Sequence, residues 1–425
     1  MLLQHFPEER ELPLEQVLAG LRAADRAPDR LGYGDERVLD FLDALSHELL
    51  RPRLVRRHPE LAPLGFFLRR SRLAQWTRAT DGAADLRVPR GIVFHIPPAN
   101  VSTLLAYPWA LSMLAGNANV IRLSTRGSAA TDELLGVLRE TVRQADPAVR
   151  ASQLVVSYGH DDEVTAALSA ACHLRLMWGG DQTIDRLRRF ALAPGARDLP
   201  MPERSSLCVV SAATWQGTDE AGRTAVVEGF YNDAYWYGQA ACASPLTICW
   251  IGPDGQAARA GADFVDRLEA LVAQRRPQID VEMAVEKRVA TYGLAVTASA
   301  RSVGFRGNAL AVVSLSPGRL LESWCGTGTF GLACFPDLDA LAPLITRRHQ
   351  TIGHFGFERD TLLAFARRLA GRGVDRLVPV GEALAFERVW DGYDLLYECS
   401  KAVTVRLPTT PPLRRPAAVA GPTGP

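Results

Sequence analysis

A cysteine works as a nucleophile only where an electrophile can reach it and something holds the thiolate. The segment Gly238-Gln239-Ala240-Ala241-Cys242-Ala243-Ser244-Pro245 meets the first condition. Small residues crowd around one cysteine, where a helical pattern ends and the apolar run Leu246 to Ile251 begins. A thiol at such a junction is accessible, and its small neighbours leave room for a carbonyl. The chemistry on offer is attack on an acyl group, with the thiol pKa lowered by local dipoles or charge. The same residues also fit a packed cysteine in a tight turn, a common fate of free cysteines. Cys249 lies inside the apolar run and reads as core.

Acyl transfer also needs a donor for the developing oxyanion. Ile96-Pro97-Pro98-Ala99-Asn100 follows a strand pattern, and two prolines stiffen a loop that presents one amide. An asparagine amide can be pre-aimed at an oxyanion without moving a proton. It equally fits a cap for the helix that begins near Thr103. In Asn119 to Thr125 (NVIRLST), a strand delivers Arg122 and Ser124 at its carboxyl end, where parallel α/β sheets bind ligands. The Arg122 guanidinium suits a phosphate, and it also suits plain solvation. Trp178-Gly179-Gly180-Asp181 separates a strand from a helix, so a phosphate or ring can approach the helix start; a simple turn reads as well. Gly326 to Gly331 (GTGTFG) matches the dinucleotide fingerprint letter for letter. The fingerprint needs strand, turn and helix in that order. Here Leu320 to Cys325 does not read as a buried strand, and Leu332 to Phe335 reads as a strand instead of a helix. A mobile Gly-rich loop lining a site is expected instead. The eight histidines are scattered, His349 and His354 have poor spacing for a helix-face site, and no metal is expected.

Strands alternating with helices must position these residues. Strand patterns fall at Leu86 to Ile96, Asn119 to Leu123, Leu154 to Ser157, Leu174 to Trp178, Leu207 to Ser211, Leu246 to Ile251, Ala309 to Ser314, Leu332 to Phe335 and Ala402 to Leu407. Helical patterns fall at Thr103 to Leu114, Ser128 to Arg143, Glu163 to Ala171, Thr183 to Phe190, Ala221 to Tyr237 and Phe264 to Arg275. Residues 1–85 read as helical, with Asp35 capping the pattern Arg37 to Leu50. From Pro408 the chain is Pro/Gly-rich and expected to be disordered. The 425 residues, 47 % hydrophobic and 22 % charged, suit two or three globular domains. A net charge of +1 removes any bulk electrostatic case for nucleic acid or an anionic membrane. The N-terminus shows no secretory signal, and the longest apolar stretch, near Val101 to Ala115, is too short to span a bilayer. Seven cysteines without CxxC spacing fit a reduced cytoplasm.

In chain order, the Pro97 to Asn100 turn, Ala115-Gly116-Asn117, the strand bearing Arg122, the glycine turn and the Gly-Gln lead-in to Cys242 resemble the aldehyde dehydrogenase superfamily. The nearer resemblance is to its LuxC-type acyl-CoA reductases. It is carried by NVIRLS, by WGGDQTI from Trp178, by QAACASP from Gln239, and above all by Gly371 to Glu398 (GRGVDRLVPVGEALAFERVWDGYDLLYE). It spans about residues 85–407. The resemblance implies an α/β fold with a Rossmann-like cofactor domain (86–205), an α/β thiol domain (206–395) and a C-terminal oligomerisation strand (396–407), before a disordered tail (408–425). It implies Cys242 as acyl-accepting nucleophile, with Asn100 and the Cys242 backbone N–H as oxyanion hole. It implies cofactor contacts at Pro98, Arg122, Ser124, Gly179, Gly180 and Phe330. The cofactor would be NADPH, because Arg122 suits a 2′-phosphate, with NADH as the alternative. Tyr235, Trp236 and Gln239 would line the substrate, unless the aromatic helix face packs in the core. Two departures stand out. Gly328 replaces the glutamate of the Glu-x-Phe-Gly motif, and Pro200 falls where ordinary aldehyde dehydrogenases carry a general-base glutamate, with Glu203 out of register. Without that base, hydrolysis of an acyl-enzyme is disfavoured. The expected reaction is therefore reduction of an acyl-CoA thioester to an aldehyde. The alternatives are a donor on acyl carrier protein and an acid-forming aldehyde dehydrogenase. A cytoplasmic homo-oligomer completes what the resemblance implies.

Overall fold

Short apolar runs bounded by Gly and Pro become the strands of two mainly parallel sheets. The computed structural model describes residues 1–78, 85–98, 101–125 and 127–406. In the first half the strands are β1 (Leu2–Phe6), β2 (Arg10–Leu12), β3 (Asp85–Pro89), β4 (Ile92–Ile96), β5 (Ala118–Leu123), β6 (Gln153–Ser157), β7 (Leu174–Trp178) and β8 (Arg197–Met201). All but β3 form one seven-stranded sheet in the order β2-β1-β6-β5-β4-β7-β8. The pairs among β4 to β8 are parallel. Every residue of β4 is buried, as expected of a central strand covered on both faces. Helices α1 (Leu14–Arg26), α2 (Glu36–Leu49), α3 (Tyr107–Leu114) and α4 (Ala129–Val142) belong to this half. Pro108 in α3 sits in the first turn, where its missing N–H has no partner to lose.

Two expectations are corrected. Residues 1–85 are not simply helical, because β1 and β2 extend the first sheet, β1 pairing antiparallel with β6. Leu86 to Ile96 is also not one strand. The chain breaks at Arg90-Gly91, and β3 leaves the sheet for a separate ribbon.

The Ala115-Gly116-Asn117 stretch ties these parts together. Gly116 has φ +87°, and a Cβ there would lie 2.6 Å from the Gly32 carbonyl. Asn117 Oδ1 accepts from Gly91 N, while its Nδ2 donates to the carbonyls of Ser112 and Cys399. One buried amide thus joins the start of β4, the end of α3 and the C-terminal segment. Beside it, His95 Nε2 meets Asn119 Oδ1 across β4 and β5, and burial pushes the imidazole down to about 4.

The second half holds β9 (Ser205–Ser211), β10 (Pro245–Ile251), β11 (Ala300–Arg306), β12 (Leu310–Leu315), β13 (Thr329–Phe335), β14 (His349–Phe355) and β15 (Arg376–Pro379). Their order is β11-β12-β13-β10-β9-β14-β15, parallel except for β11 with β12. Between β7 and β8 of the first half lies α5 (Asp181–Arg188); the second half includes α6 (Glu220–Tyr235), α7 (Asp254–Arg275) and α8 (Val281–Val296). Trp215, Phe230, Trp250, Phe264 and Phe330 form an aromatic core on one face of this sheet. The chain passes from β8 to β9 through only Pro202, Glu203 and Arg204. It returns at the end, where Trp390, Leu395 and Cys399 join the core of the first half. The strand expected at Ala402 to Leu407 lies at β16 (Ser400–Thr404) and pairs antiparallel with β3 of the same chain. The Pro/Gly-rich tail falls outside the described residues.

The Gly116 geometry generates a stability prediction. Gly116→Ala should destabilise the protein by about 3 kcal/mol or more, since it combines a forbidden contact with a left-handed backbone. Urea unfolding will measure this; a loss under about 1 kcal/mol would mean the neighbouring loop yields freely.

Candidate active site

The carboxyl ends of β4, β7 and β8 face the amino ends of β9 and β10, and a cavity of about 330 Å³ lies between them. The turn Trp178-Gly179-Gly180 and Glu203 line it. Val101, Leu104, Leu384, Phe386 and Trp390 give its lining an apolar share. Cys242 lies in the cavity lining, and Glu322 and Trp324 line it too.

The backbone that presents Cys242 is unusual. After α6 ends, Tyr237, Gly238 and Gln239 all have positive φ, at 52°, 60° and 60°. A non-glycine residue in that region costs about 1–2 kcal/mol, so the turn must be held from outside. Gln239 does most of the holding. Its Nε2 donates to the carbonyls of Pro245 (2.9 Å) and Thr329 (3.0 Å), and its Oε1 accepts from the N–H of Gly328 (2.8 Å) and Thr329 (3.1 Å). The Gly238 carbonyl accepts from Trp324 Nε1 and Thr327 Oγ1. The Tyr237 hydroxyl donates to the Glu60 carbonyl and meets Thr103 Oγ1. Beyond the turn, Ser206 Oγ donates to the Cys242 carbonyl while accepting from Thr351 N in β14.

This accounts for the Gly326 to Gly331 segment. It is no strand-turn-helix, since it leads into β13. Nor does it line the cavity: its backbone N–H groups receive the Gln239 side chain. Gly328 has φ +73°, and a Cβ there would fall 2.0 Å from the Ala309 carbonyl oxygen. The segment is pinned from both sides, against the expectation of a mobile site loop.

The thiol differs from expectation as well. Cys242 retains solvent exposure, yet protein atoms crowd its sulfur. That burial raises the thiol pKa from its ordinary value. A hydrogen bond from the Arg204 backbone N–H and the Arg204 charge favour the thiolate, while the carboxylates of Asp391 and Glu203 oppose it. The expected pre-lowered pKa is therefore absent, because the nearby anions and desolvation outweigh the Arg204 contributions. Asp391, buried and accepting from Gln350 Nε2, is itself pushed up to about 6 by burial. Arg204 reaches the Asp375 carboxylate at 2.7 Å and the His349 carbonyl at 2.9 Å.

Leu384, Phe386 and Trp390 of the apolar lining belong to the distinctive C-terminal segment. Arg376, buried, donates to the carbonyls of Ala383 (2.9 Å) and Ala385 (3.0 Å) and lies 4.5 Å from the Trp390 ring centroid. Asp233 in α6 accepts from the N–H groups of Gly381 and Ala383. These bonds fix Leu384 and Phe386 against the first half, where Phe386 stacks on Tyr107 at 4.6 Å.

Pro98, Gly179 and Gly180 line the cavity. Arg122 does not; it lines a neighbouring cleft of about 310 Å³ with His160, Thr183 and Arg186, beside α5. Its guanidinium lies over the Tyr158 ring at 4.7 Å and donates to the Gly159 carbonyl. Ser124 follows β5 directly. That cleft holds Asp162 as well, whose carboxylate accepts from Arg186.

Other assignments are corrected. Phe330 is 1 % exposed and packs on Phe230 and Tyr235 in the core, because its position in β13 turns it toward α6. Tyr235 is buried there too, its hydroxyl donating to the Ala309 carbonyl. Trp236 packs against the core of the first half instead of the cavity. Gln239 borders the cavity, but all its hydrogen-bonding capacity is spent on backbone. Asn100 lies outside the described residues; its described neighbours Pro98 and Val101 both line the cavity. Glu203, out of register in the sequence reading, also lines it, so a carboxylate is present near Cys242 after all. Asp391, Arg204 and Trp390 drew no attention in sequence, since lone residues of those types in a loop carry no pattern.

Two predictions follow from this geometry. Gln239→Ala should cost about 3 kcal/mol in urea unfolding. It should also slow acylation of Cys242 at least about tenfold, because the sulfur loses its fixed position; unchanged acylation would show that the turn does not place the sulfur. Second, iodoacetamide labelling of Cys242 should rise at higher pH than labelling of an unperturbed thiol, because burial disfavours the thiolate. Asp391→Asn and Glu203→Gln each remove a charge that disfavours the thiolate, so each should move that curve to lower pH. A plateau near neutrality in the native protein would contradict the assigned electrostatics.

Comparison with known proteins gives the fold a context. Among solved structures, PnpE from Pseudomonas sp. WBC-3 aligns with TM-score 0.64 at 15 % identity, covering 95 % of this chain and 92 % of that one. Aldehyde dehydrogenase 21 from Physcomitrella patens, in complex with the reaction product succinate, gives 0.64 at 12 % identity over 93 % and 91 %. An aldehyde dehydrogenase of Burkholderia cenocepacia gives 0.64 at 16 % over 92 % and 91 %. At these identities the likeness establishes an aldehyde dehydrogenase-like fold. No curated protein matches significantly. The model of the family described as Acyl-CoA reductase (LuxC) matches residues 36–402, starting well inside the segment that the sequence reading left outside the resemblance. The chain belongs to the LuxC acyl-CoA reductase family.

Proposed function

We propose that this protein reduces an acyl thioester to an aldehyde with NADPH, through an acyl group carried on Cys242. The observation that carries the reading is the position of Cys242 in a cavity lined both by the glycine turn and by apolar side chains. The Cys242 thiolate attacks the thioester carbonyl, and the carrier thiolate leaves with the electron pair of the broken C–S bond. The Arg204 backbone N–H, which supports the sulfur, stabilises the thiolate at the moment of attack. Asn100 and the Cys242 backbone N–H serve as oxyanion donors. Leu104, Leu384 and Phe386 hold the acyl chain and exclude water from the acyl-enzyme. Gly179 and Gly180 would hold a reduced nicotinamide, whose chemistry would be hydride donation. Arg122 and His160 hold an adenosine phosphate, which favours NADPH over NADH. The donor is acyl-CoA, with a carrier-protein thioester as the alternative. Among the described residues no helix is long and apolar enough to cross a membrane.

A second reading rests on Glu203. Its carboxylate in the same cavity is suited to activate water, which would release the acyl group as free acid. The two readings separate by product.

Mass spectrometry after mixing with acyl-CoA, without cofactor, should show one S-acyl adduct, on Cys242. NADPH should discharge it as aldehyde; free acid as the main product would favour the second reading. Cys242→Ala should abolish the adduct, and an adduct elsewhere sinks the assignment. Arg122→Gln should raise KM for NADPH about 10- to 100-fold and leave that for NADH nearly unchanged, as loss of a charged hydrogen bond predicts.

A further inference from the structure

Strand β9 slips register against both of its neighbours at one place. Against β10 the pairing moves from Pro245 with Ser206 to Thr247 with Leu207, and against β14 it moves from His349 with Ser205 to Ile352 with Leu207. A slip of this kind leaves backbone groups without a ladder partner. Here one of them is the Thr351 N–H, and the Ser206 hydroxyl accepts from it at 3.1 Å. An N–H can only donate, so the hydroxyl proton is left for the Cys242 carbonyl, 2.6 Å away. Ser206 and Thr351 are both buried, so neither bond exchanges for one to bulk water.

The carbonyl on the other side of Cys242 is committed as well. The Ala241 carbonyl accepts from the Ser244 N–H at 2.9 Å, which closes a tight turn with Cys242 and Ala243 at its centre. In a trans peptide the N–H points opposite to the C=O. Anchoring these two carbonyls therefore fixes the directions of the Cys242 and Ala243 N–H groups. Neither N–H has an acceptor among the described residues, although Ala243 is 2 % exposed and lines the cavity. Buried backbone N–H groups are nearly always paired. Two adjacent ones left open at a nucleophile offer a place for developing negative charge.

We infer that Ser206 is a positioning residue: through the Cys242 carbonyl it holds the Ala243 N–H as a further oxyanion donor beside the Cys242 N–H. The inference rests on the acyl-transfer reading of Cys242. Attack of the sulfur on a thioester carbonyl turns that oxygen into an oxyanion, and the donors must already be aimed at it. Without the Ser206 hydroxyl, the Cys242–Ala243 peptide is free to turn, and the donor direction is lost while the thiol remains.

The test compares acylation of Cys242 with its alkylation. Acylation by acyl-CoA develops an oxyanion; displacement of iodide from iodoacetamide does not. In single-turnover mass spectrometry without cofactor, Ser206→Ala should acylate at least about tenfold more slowly at saturating acyl-CoA, with half-saturation unchanged within about twofold. Its iodoacetamide labelling should stay within about twofold of native at each pH. Ser206→Thr and Ser206→Val share one shape and differ by the hydroxyl. Ser206→Thr should therefore acylate at least about tenfold faster than Ser206→Val, whatever the added methyl costs. This pair carries the test if Ser206→Ala fails to fold. Equal acylation by the native protein and Ser206→Ala, or by the threonine and valine substitutions, overturns the inference. A parallel fall in acylation and alkylation also overturns it, since Ser206 would then place the sulfur and not the donor. A native protein that forms no adduct on Cys242 overturns the acyl-transfer reading itself.

Discussion

Everything at the cavity depends on one buried amide. Gln239 satisfies two carbonyls and two N–H groups at once, and in doing so compensates a left-handed turn that the backbone would not adopt by itself. The turn reverses the chain at the end of α6 and sets Cys242 at the start of β10. Four hydrogen bonds at about 1 kcal/mol each are comparable with the cost of two strained residues. The balance explains why the clamp is fully used and why no part of Gln239 remains for a substrate. It also links three segments distant in sequence, since the residues that receive Gln239 border a loop whose Trp324 and Thr327 hold the adjacent carbonyl.

Electrostatics around the thiol follow a different logic from that of a permanently ionised cysteine. Desolvation and two carboxylates hold the proton on the sulfur, while the Arg204 backbone N–H offers the thiolate a prepared partner. A thiol whose ionisation is disfavoured is less open to oxidation and stray electrophiles than a thiolate. The rise of Asp391 to about 6 has the same origin, because burial penalises its charge more than Gln350 and Arg204 favour it.

Much of the fold was legible because parallel strands advertise themselves as apolar runs closed by Gly or Pro. Leu174–Trp178 coincides with its expected span, and the helix expected over Ser128 to Arg143 is observed at Ala129–Val142, with Ser128 capping it. The failures have physical causes. Strand β1 (LLQHF) interleaves Gln4 and His5 with apolar residues at a chain terminus, so its alternation is too short to register. The β14 sequence HQTIGHF looks polar because Gln350 donates to Asp391 and the Thr351 hydroxyl donates to Gln350. At the site, the cysteine and the glycine turn could be read from small residues at element junctions. Phe330 was misplaced because a motif match says nothing about which face of a strand a side chain takes. Glu203 was set out of register because a three-residue crossing between sheets offers no periodicity from which to judge register.

That crossing has a mechanical meaning. Pro202, Glu203 and Arg204 extend to about 10 Å at most, and Pro202 stiffens them. A second tie, through Trp390 and Cys399, fastens the far side. Two such ties limit how far the halves can part at the cavity between them. If an acyl chain enters there, its fit against Leu104, Leu384 and Phe386 would decide how much water the cavity keeps.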